Sequence, residues 1–467
     1  MYYHIVGING AGMSAIANIL LDQGQTVSGS DLQSGPLTAA LAARGATVML
    51  GHAAANVAGA DAVVTTSAAR PDHVELAAAR ARGIPLLKRA DLWHEWSRQR
   101  PVVAVAGTAG KTTTSALIAL LLDAAGRAPG FVVGGEIPDL GVNARWGDAK
   151  APLVIEADEY DRAFLALAPQ IAVVTNVEWD HVDIYPTAAT YAAAFAQFAA
   201  SVPHESQLVV CGDDAGATAL AGPLAVQYGV NETIASDPAS CRLAPLDYSA
   251  AGVRDDGERT HFDVWRYDRQ TFGTRLWGQF AMRLPGEHNV RNALAAIAVA
   301  AMLGVDAATI RRALLGYGGT LRRFELRGER GGVTVIDDYA HHPAKVRATL
   351  AAARQRYPGR RLVVYFQPHT YSRSAALAAE WATAFGDADA LLVGEIYAAR
   401  ETETLGMDAA ALARIIDHPD ARPTGDVQRA AAELVPLLRP GDVLLTLGAG
   451  DSTLVGGLVL DALGRSR

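Results

Sequence analysis

The segment AVAGTAGKTTT at 104–114 holds the residue types that a nucleoside triphosphate requires. Gly107 and Gly110 permit a turn whose backbone N–H groups, from Gly107 through Thr108 to Lys111, can cradle phosphate. Lys111 can neutralise charge on the β- and γ-phosphates, Thr112 can ligate Mg²⁺, and Thr113 continues the helix start. The turn is a short relative of the GxxxxGK[ST] phosphate loop, because position 105, where the longer pattern has its first glycine, is Val. The chain has only four lysines, Lys88, Lys111, Lys150 and Lys345, so composition alone does not account for one here. We expect ATP to bind at this turn.

Two acidic runs follow. The apolar strand LVIEAD ends in Glu156, Asp158, Glu159 and Asp161, and the next strand ends at Asn176, followed by Glu178, Asp180, His181 and Asp183. Strand C-termini are where parallel sheets bind ligands, and crowded carboxylates call for solvent or a cation. One carboxylate and one neutral imidazole beside a triphosphate suit a pair of divalent ions; a hydrogen-bonded core histidine is the plainer reading of His181. Further on, His288, Asn289 and Asn292 open an Ala-rich helix, where asparagine amides either read a purine edge or serve the first turn. Arg322, Arg323, Asp337, Asp338, His341 and His342 precede a last cluster, Gln367, His369 and Arg373, in which Arg373 could grip a carboxylate bidentately. A zinc site from His341, His342 and His369 would require adjacent histidines to converge without help from a cysteine. Near the N-terminus, Gly7, Gly10 and Gly12 follow a strand and open a helix, and Asp31 ends the next strand, where it can reach a ribose hydroxyl. A dinucleotide, another nucleotide conjugate and a purely structural turn all fit that pattern.

The elements that must position these residues are legible as a strand-helix rhythm. Over 1–98 short β-branched runs alternate with Ala/Leu-rich stretches, predicting an open Rossmann-like parallel sheet. A second α/β domain is expected over 99–318, with 224–285 as a small β-rich insertion, and a third over 319–467. With 467 residues the chain has ample material for three cores. Two cysteines, Cys211 and Cys241, exclude a disulfide scaffold and read as buried thiols. A net charge of −8 gives no sign of a nucleic-acid partner, and no signal peptide or membrane span is evident, so a cytoplasmic enzyme is expected.

Taken together, GINGAGMSAIA, GTAGKTTT, IEADEYDRAFLALAP, VVTNVEWDHVDIY, GEHNVRNALAA, RRFELRG, DDYAHHP, FQPHTYSR and LGAGD resemble, in order and over nearly the whole chain, the Mur ligases of peptidoglycan assembly. The resemblance implies a three-domain α/β architecture: an N-terminal Rossmann-like domain for a UDP-sugar, a central P-loop ATPase-like domain, and a C-terminal Rossmann-like domain that brings the amino acid. It implies a ligase that uses ATP and Mg²⁺ to join L-alanine to the lactyl carboxylate of UDP-N-acetylmuramate, in cell-wall biogenesis and hence cell shape and division. By the same resemblance Lys111, His181, His341 and Arg373 are catalytic, and Thr112, Glu156 and His181 hold Mg²⁺. Gly107, Thr108, Gly110, Lys111, Thr112, Thr113, His288, Asn289, Asn292, Arg323 and Asp338 would contact the nucleotide. Gly10, Gly12, Asp31, Ser67 and Arg89 would belong to the UDP-sugar site, and His341 and Arg373 would orient the amino acid. Three positions depart from the family pattern: Ala109 where the loop usually has His, Tyr160 where the L-alanine branch commonly has Ser, and Thr370 where an Arg is usual. A tripeptide-recycling ligase and a non-catalytic UDP-sugar and nucleotide-binding protein are the alternative readings.

Overall fold

The computed structural model describes residues 1–66, 69–235 and 246–465. Three sheets follow one another along the chain. The first is five-stranded and wholly parallel, in the order Thr47–Leu50, Thr26–Asp31, Tyr2–Val6, Ala62–Val64, Leu86–Leu87. Helix Ala11–Asp22 is buried from Met13 through Leu20, because it lies between this sheet and strands Gly130–Ile137 and Val142–Arg145 of the next.

The central sheet has ten strands. At its middle, Val102–Ala106 lies parallel between Leu153–Glu156 and Ile171–Val174, and all three are buried on both faces up to their C-terminal ends. Continuous apolar runs of this kind belong to a parallel sheet covered on each side. The expected insertion at 224–285 is not separate. Val226–Val230 pairs parallel to Leu208–Cys211, Tyr248–Asp255 pairs parallel to Val226–Val230, and the antiparallel strands Thr260–Asp268 and Gly273–Met282 finish the same sheet. The turn-rich sequence there marks an antiparallel sheet edge rather than a change of domain. At the opposite edge Gly130–Ile137 and Val142–Arg145 form a hairpin that sequence patterning had not distinguished. Helices Lys111–Ala124 and Glu287–Met302 pack side by side on one face of this sheet.

The third sheet runs Glu325–Arg330, Val333–Asp338, Val443–Leu447, Leu362–Phe366, Ala390–Val393, Ala421–Pro423, parallel except for its first strand. Separate apolar clusters fill its two faces. One core runs without interruption from the first sheet into the second. Cys211 is buried, as read, while Cys241 and Ser67 lie outside the described residues. No helix among the described residues is long and apolar enough to cross a membrane.

Candidate active site

The central strand order sets the site. Because Val102–Ala106 has Leu153–Glu156 on one side and Ile171–Val174 on the other, the loop leaving it emerges between two acidic strand ends. Gly107 has φ +142° and Gly110 φ +82°, both in the region that side chains strain. A Cβ on Gly107 would stand 1.9 Å from Thr175 Oγ1, and one on Gly110 would stand 2.3 Å from Asn292 Oδ1. The loop is pinned from behind: Ala109 N donates to Asn176 Oδ1 at 2.8 Å, Thr175 Oγ1 donates to Ala109 O at 2.6 Å, and Thr108 Oγ1 lies 2.9 Å from Tyr191 OH. Thr113 is buried in the first turn of the following helix.

Lys111 Nζ donates to Gly107 O at 2.6 Å and to Glu159 Oε2 at 2.7 Å. Glu159 is fully buried and also accepts from Tyr191 OH at 3.1 Å, while His181 Nε2 stands 3.5 Å from its Oε1. Burial opposes the charge on Glu159, but Lys111 and His181 outweigh it and hold the carboxyl well below the usual range. Burial likewise lowers Lys111 and His181, and their acidic neighbours more than reverse it, so both are raised. Asp158, Glu159 and His181 bring one ligand atom each within 4.8 Å of one another. Glu156 stands apart from that trio: its Oε1 accepts from Thr112 Oγ1 at 2.9 Å and its Oε2 from Gly134 N at 2.6 Å. Thr112 with Glu156, and Glu159 and Asp158 beside His181, are the residues flanking the loop that could hold Mg²⁺.

The third sheet closes on these residues. Arg323 Nη2 donates to Thr112 Oγ1 at 3.0 Å, and Asp338 accepts from Phe324 N and Ala340 N, which fixes the turn carrying Arg323. Arg373 Nε donates to Asp180 Oδ1 at 2.8 Å and its Nη1 contacts His369 Nδ1 at 2.8 Å. Arg373 thus spends Nε on Asp180 and Nη1 on His369, while its Nη2 has no hydrogen-bond partner among the described residues. His341 Nδ1 bonds Tyr339 O at 2.8 Å, whereas His342 Nε2 faces Trp179 O at 3.4 Å across the domain junction. The adjacent rings therefore point to different partners: the His341 ring meets His369, centroids 5.7 Å apart, and His342 turns away, so the three form no metal-ligand cluster among the described residues. Burial, with Lys345 and Arg373, holds His341 well below its ordinary value. Asn289 Nδ2 donates to Pro285 O and Asn292 Nδ2 to Asn289 Oδ1, so the two buried amides form a short chain behind Gly110. His288 is lowered to about 4 by burial and Arg291.

In the first domain, Gly10 caps helix Ala11–Asp22 and Asp31 accepts from Asn9 N at 3.0 Å, tying the strand end to the glycine turn. Arg89 approaches Gly12 and donates to Asp158 Oδ2 and Tyr160 O, both at 3.4 Å, so it spans from this turn to the acidic strand end. Three residues carry more of the geometry than the sequence motifs suggested: Glu159, Asp180 and Lys345. Lys345 lies in the first turn of helix Pro343–Arg356, where a cation opposes the helix dipole, and that misfit is a signal readable in sequence. Loss of hydration lowers it to about 8 against the pull of Asp180.

Family models match the chain in three consecutive stretches: the Mur ligase family catalytic domain over residues 2–101, the Mur ligase middle domain over 105–300, and the Mur ligase glutamate ligase domain over 322–450. The chain belongs to the Mur ligase family. Among Mur ligases it is 64% identical to a UDP-N-acetylmuramate–L-alanine ligase of Roseiflexus sp. (strain RS-1), across 99% of both chains. It is 62% identical to the enzyme of that name from Roseiflexus castenholzii, across 100% of this chain and 98% of the relative. The solved UDP-N-acetylmuramate–alanine ligase of Thermotoga maritima superposes with a TM-score of 0.80 at 26% identity over the full length of both chains. A murein peptide ligase from Psychrobacter arcticus shares the fold, with a TM-score of 0.73 at 24% identity over 100% of this chain and 99% of that one. Membership of the Mur ligase family carries with it the general use of ATP and Mg²⁺.

Proposed function

We infer that this chain joins L-alanine to the lactyl carboxylate of UDP-N-acetylmuramate with ATP, releasing ADP and phosphate, as a step of peptidoglycan precursor synthesis. The observation that carries the reading is 64% identity over 99% of the chain to a ligase of that activity. A carboxylate is a poor electrophile at neutral pH, and transfer of the γ-phosphoryl group to it as an acyl phosphate supplies a leaving group. The amine of L-alanine then attacks the acyl carbon and phosphate departs.

The residues divide this work. Gly107, Thr108, Gly110, Lys111, Thr112 and Thr113 receive the triphosphate, and Lys111 exchanges Glu159 for phosphoryl oxygen. Thr112 and Glu156 would hold one Mg²⁺, and His181 with Glu159 and Asp158 a second. Bound there, Mg²⁺ withdraws charge from the transferred group. Asn289, Asn292 and His288 flank the nucleotide side of the loop, and Arg323 and Asp338 bring the third domain to it. Gly10, Gly12, Asp31, Ser67 and Arg89 take the UDP-sugar. Burial keeps His341 neutral, and its Nδ1 sits on a carbonyl, so Nε2 carries the lone pair that can accept a hydrogen bond from the incoming ammonium and orient it. Arg373 and His341 position that amine.

Phosphate release is measured with ATP, Mg²⁺ and UDP-N-acetylmuramate, offering L-alanine, L-serine, glycine or L-alanyl-γ-D-glutamyl-meso-diaminopimelate. UDP-N-acetylmuramoyl-L-alanine, identified by mass, is the expected product. Exclusive use of the tripeptide would reassign the chain to peptide recycling, and no product with any amine would leave it a binding protein.

A further inference from the structure

A second polar cluster lies in the first domain, away from the phosphate loop. Glu75, in the first turn of helix Val74–Ala81, is fully buried. Its Oε1 accepts from Asn56 Nδ2 at 2.6 Å and Ala53 N at 3.3 Å. Its Oε2 faces Ser30 Oγ at 2.7 Å, His52 Nδ1 at 3.3 Å and Nε2 of the fully buried His4 at 3.6 Å. His73 is the N-cap of that helix, yet its side chain makes no capping bond; the ring meets His52 edge-on, centroids 4.5 Å apart. Nδ1 of His73 and Nε2 of His4 are buried without a hydrogen-bond partner among the described residues.

We propose that His52, His73 and Glu75 form a site for zinc or a similar divalent transition ion, with His4 behind the carboxylate. One ligand atom from each of the three lies within 4.8 Å of the others. Two imidazoles and one carboxylate, leaving a fourth position open, is a zinc donor set, whereas Mg²⁺ prefers oxygen alone. Bonds of about 2.0–2.1 Å at the tetrahedral angle separate neighbouring ligands by about 3.3–3.5 Å. His52 Nδ1 and Glu75 Oε2 already stand at 3.3 Å. The bonds from Asn56 and Ala53 hold Oε1 and aim Oε2 at the imidazoles, which is how outer partners orient a metal-binding carboxylate. Ser30 Oγ also lies 2.9 Å from His52 Nδ1, so as the ion arrives the hydroxyl gives up both that contact and its bond to Oε2. Ser30 O accepts from Gly7 N at 2.8 Å and Ile8 N at 3.2 Å, so the cluster lies beneath the first glycine turn.

The test titrates metal-free enzyme with Co²⁺ and follows its visible absorption, then displaces it with Zn²⁺. His181→Asn and His73→Asn separate this cluster from the one beside the phosphate loop. Asn is a favoured N-cap, and the imidazole it replaces has an unpartnered Nδ1, so His73→Asn is expected to fold; His52→Asn is a second variant, and circular dichroism checks both. A tetrahedral Co²⁺ band retained in His181→Asn, with Zn²⁺ affinity weakened beyond the about 10–100-fold of an outer-partner loss in His73→Asn, is expected. A band lost in His181→Asn and kept in His73→Asn, or no band at all, overturns the proposal.

Discussion

The Asp180–Arg373 pair joins the central and third domains, and replacing Arg373 by Met tests whether it holds them together. The two side chains are 1% and 6% exposed, so solvent screens the pair little. Asp180 is held well below its usual range because Arg373 and His181 outweigh the cost of burial, and its Oδ2 already lacks a hydrogen-bond partner. Removing the guanidinium takes away the direct partner of a buried carboxylate and leaves only the more distant His181 and Lys345 drawing on it, which costs up to about 3–5 kcal/mol where the group stays buried. Here the domains have another way out: they separate and hydrate Asp180. The closed arrangement should then lose about two to nearly four powers of ten relative to the open one. Small-angle scattering of Arg373→Met, without substrates, should show a larger radius of gyration than the wild type. The double variant Asp180→Asn, Arg373→Met should recover compactness, because no charge is left stranded. Equal radii for wild type and Arg373→Met, or a double variant no more compact than the single one, would refute the reasoning.

Lys111→Met should lower kcat/KM for ATP-dependent phosphate release by at least about 10²–10³-fold, the scale of one lost charge-stabilising donor, with circular dichroism unchanged. Gly110→Ala meets both a positive φ and Asn292 Oδ1 at 2.3 Å, so nucleotide affinity measured by calorimetry should fall; adding Asn292→Ala should relieve the clash but not the backbone strain, and recover only part. His288 and His342 are each lowered to about 4 by burial, against about 6.5 when unfolded. Between those values the unfolded chain binds more protons, so their stability contribution is complete above about pH 6.5 and is lost as pH falls toward 4. Urea midpoints should decline over that window, less steeply in His288→Gln; a decline of equal slope in that variant would remove His288 as a cause.

The fold was legible where apolar periodicity is strong. Buried runs such as VVAVA and LVVYF read as parallel strands because both faces of such a strand are covered. The stretch 224–285 was misread because antiparallel edge strands carry the same turns and alternation whether they extend a sheet or form a new one, and pairing partners are not written locally. At the site, Lys111 and the glycines announce their chemistry through a fixed local spacing. Glu159 and Asp180 do not: each is one acid among several, and its importance comes from Lys111 or Arg373, which stands 48 or 193 residues away. The HNVRN motif singles out Asn289 and Asn292, but that they chain together behind Gly110 depends on a helix packing that no spacing shows.

The hold of Lys111 on Glu159 has a thermodynamic consequence. On the proposed reading of the site, a triphosphate drawing Nζ away would uncover the carboxylate for a cation, and a cation taking the carboxylate would release the ammonium for phosphate. Each ligand thereby removes the other's competitor. Linkage then makes the effect mutual: the factor by which Mg²⁺ tightens ATP is the factor by which ATP tightens Mg²⁺, and both shrink together when Glu159 loses its charge.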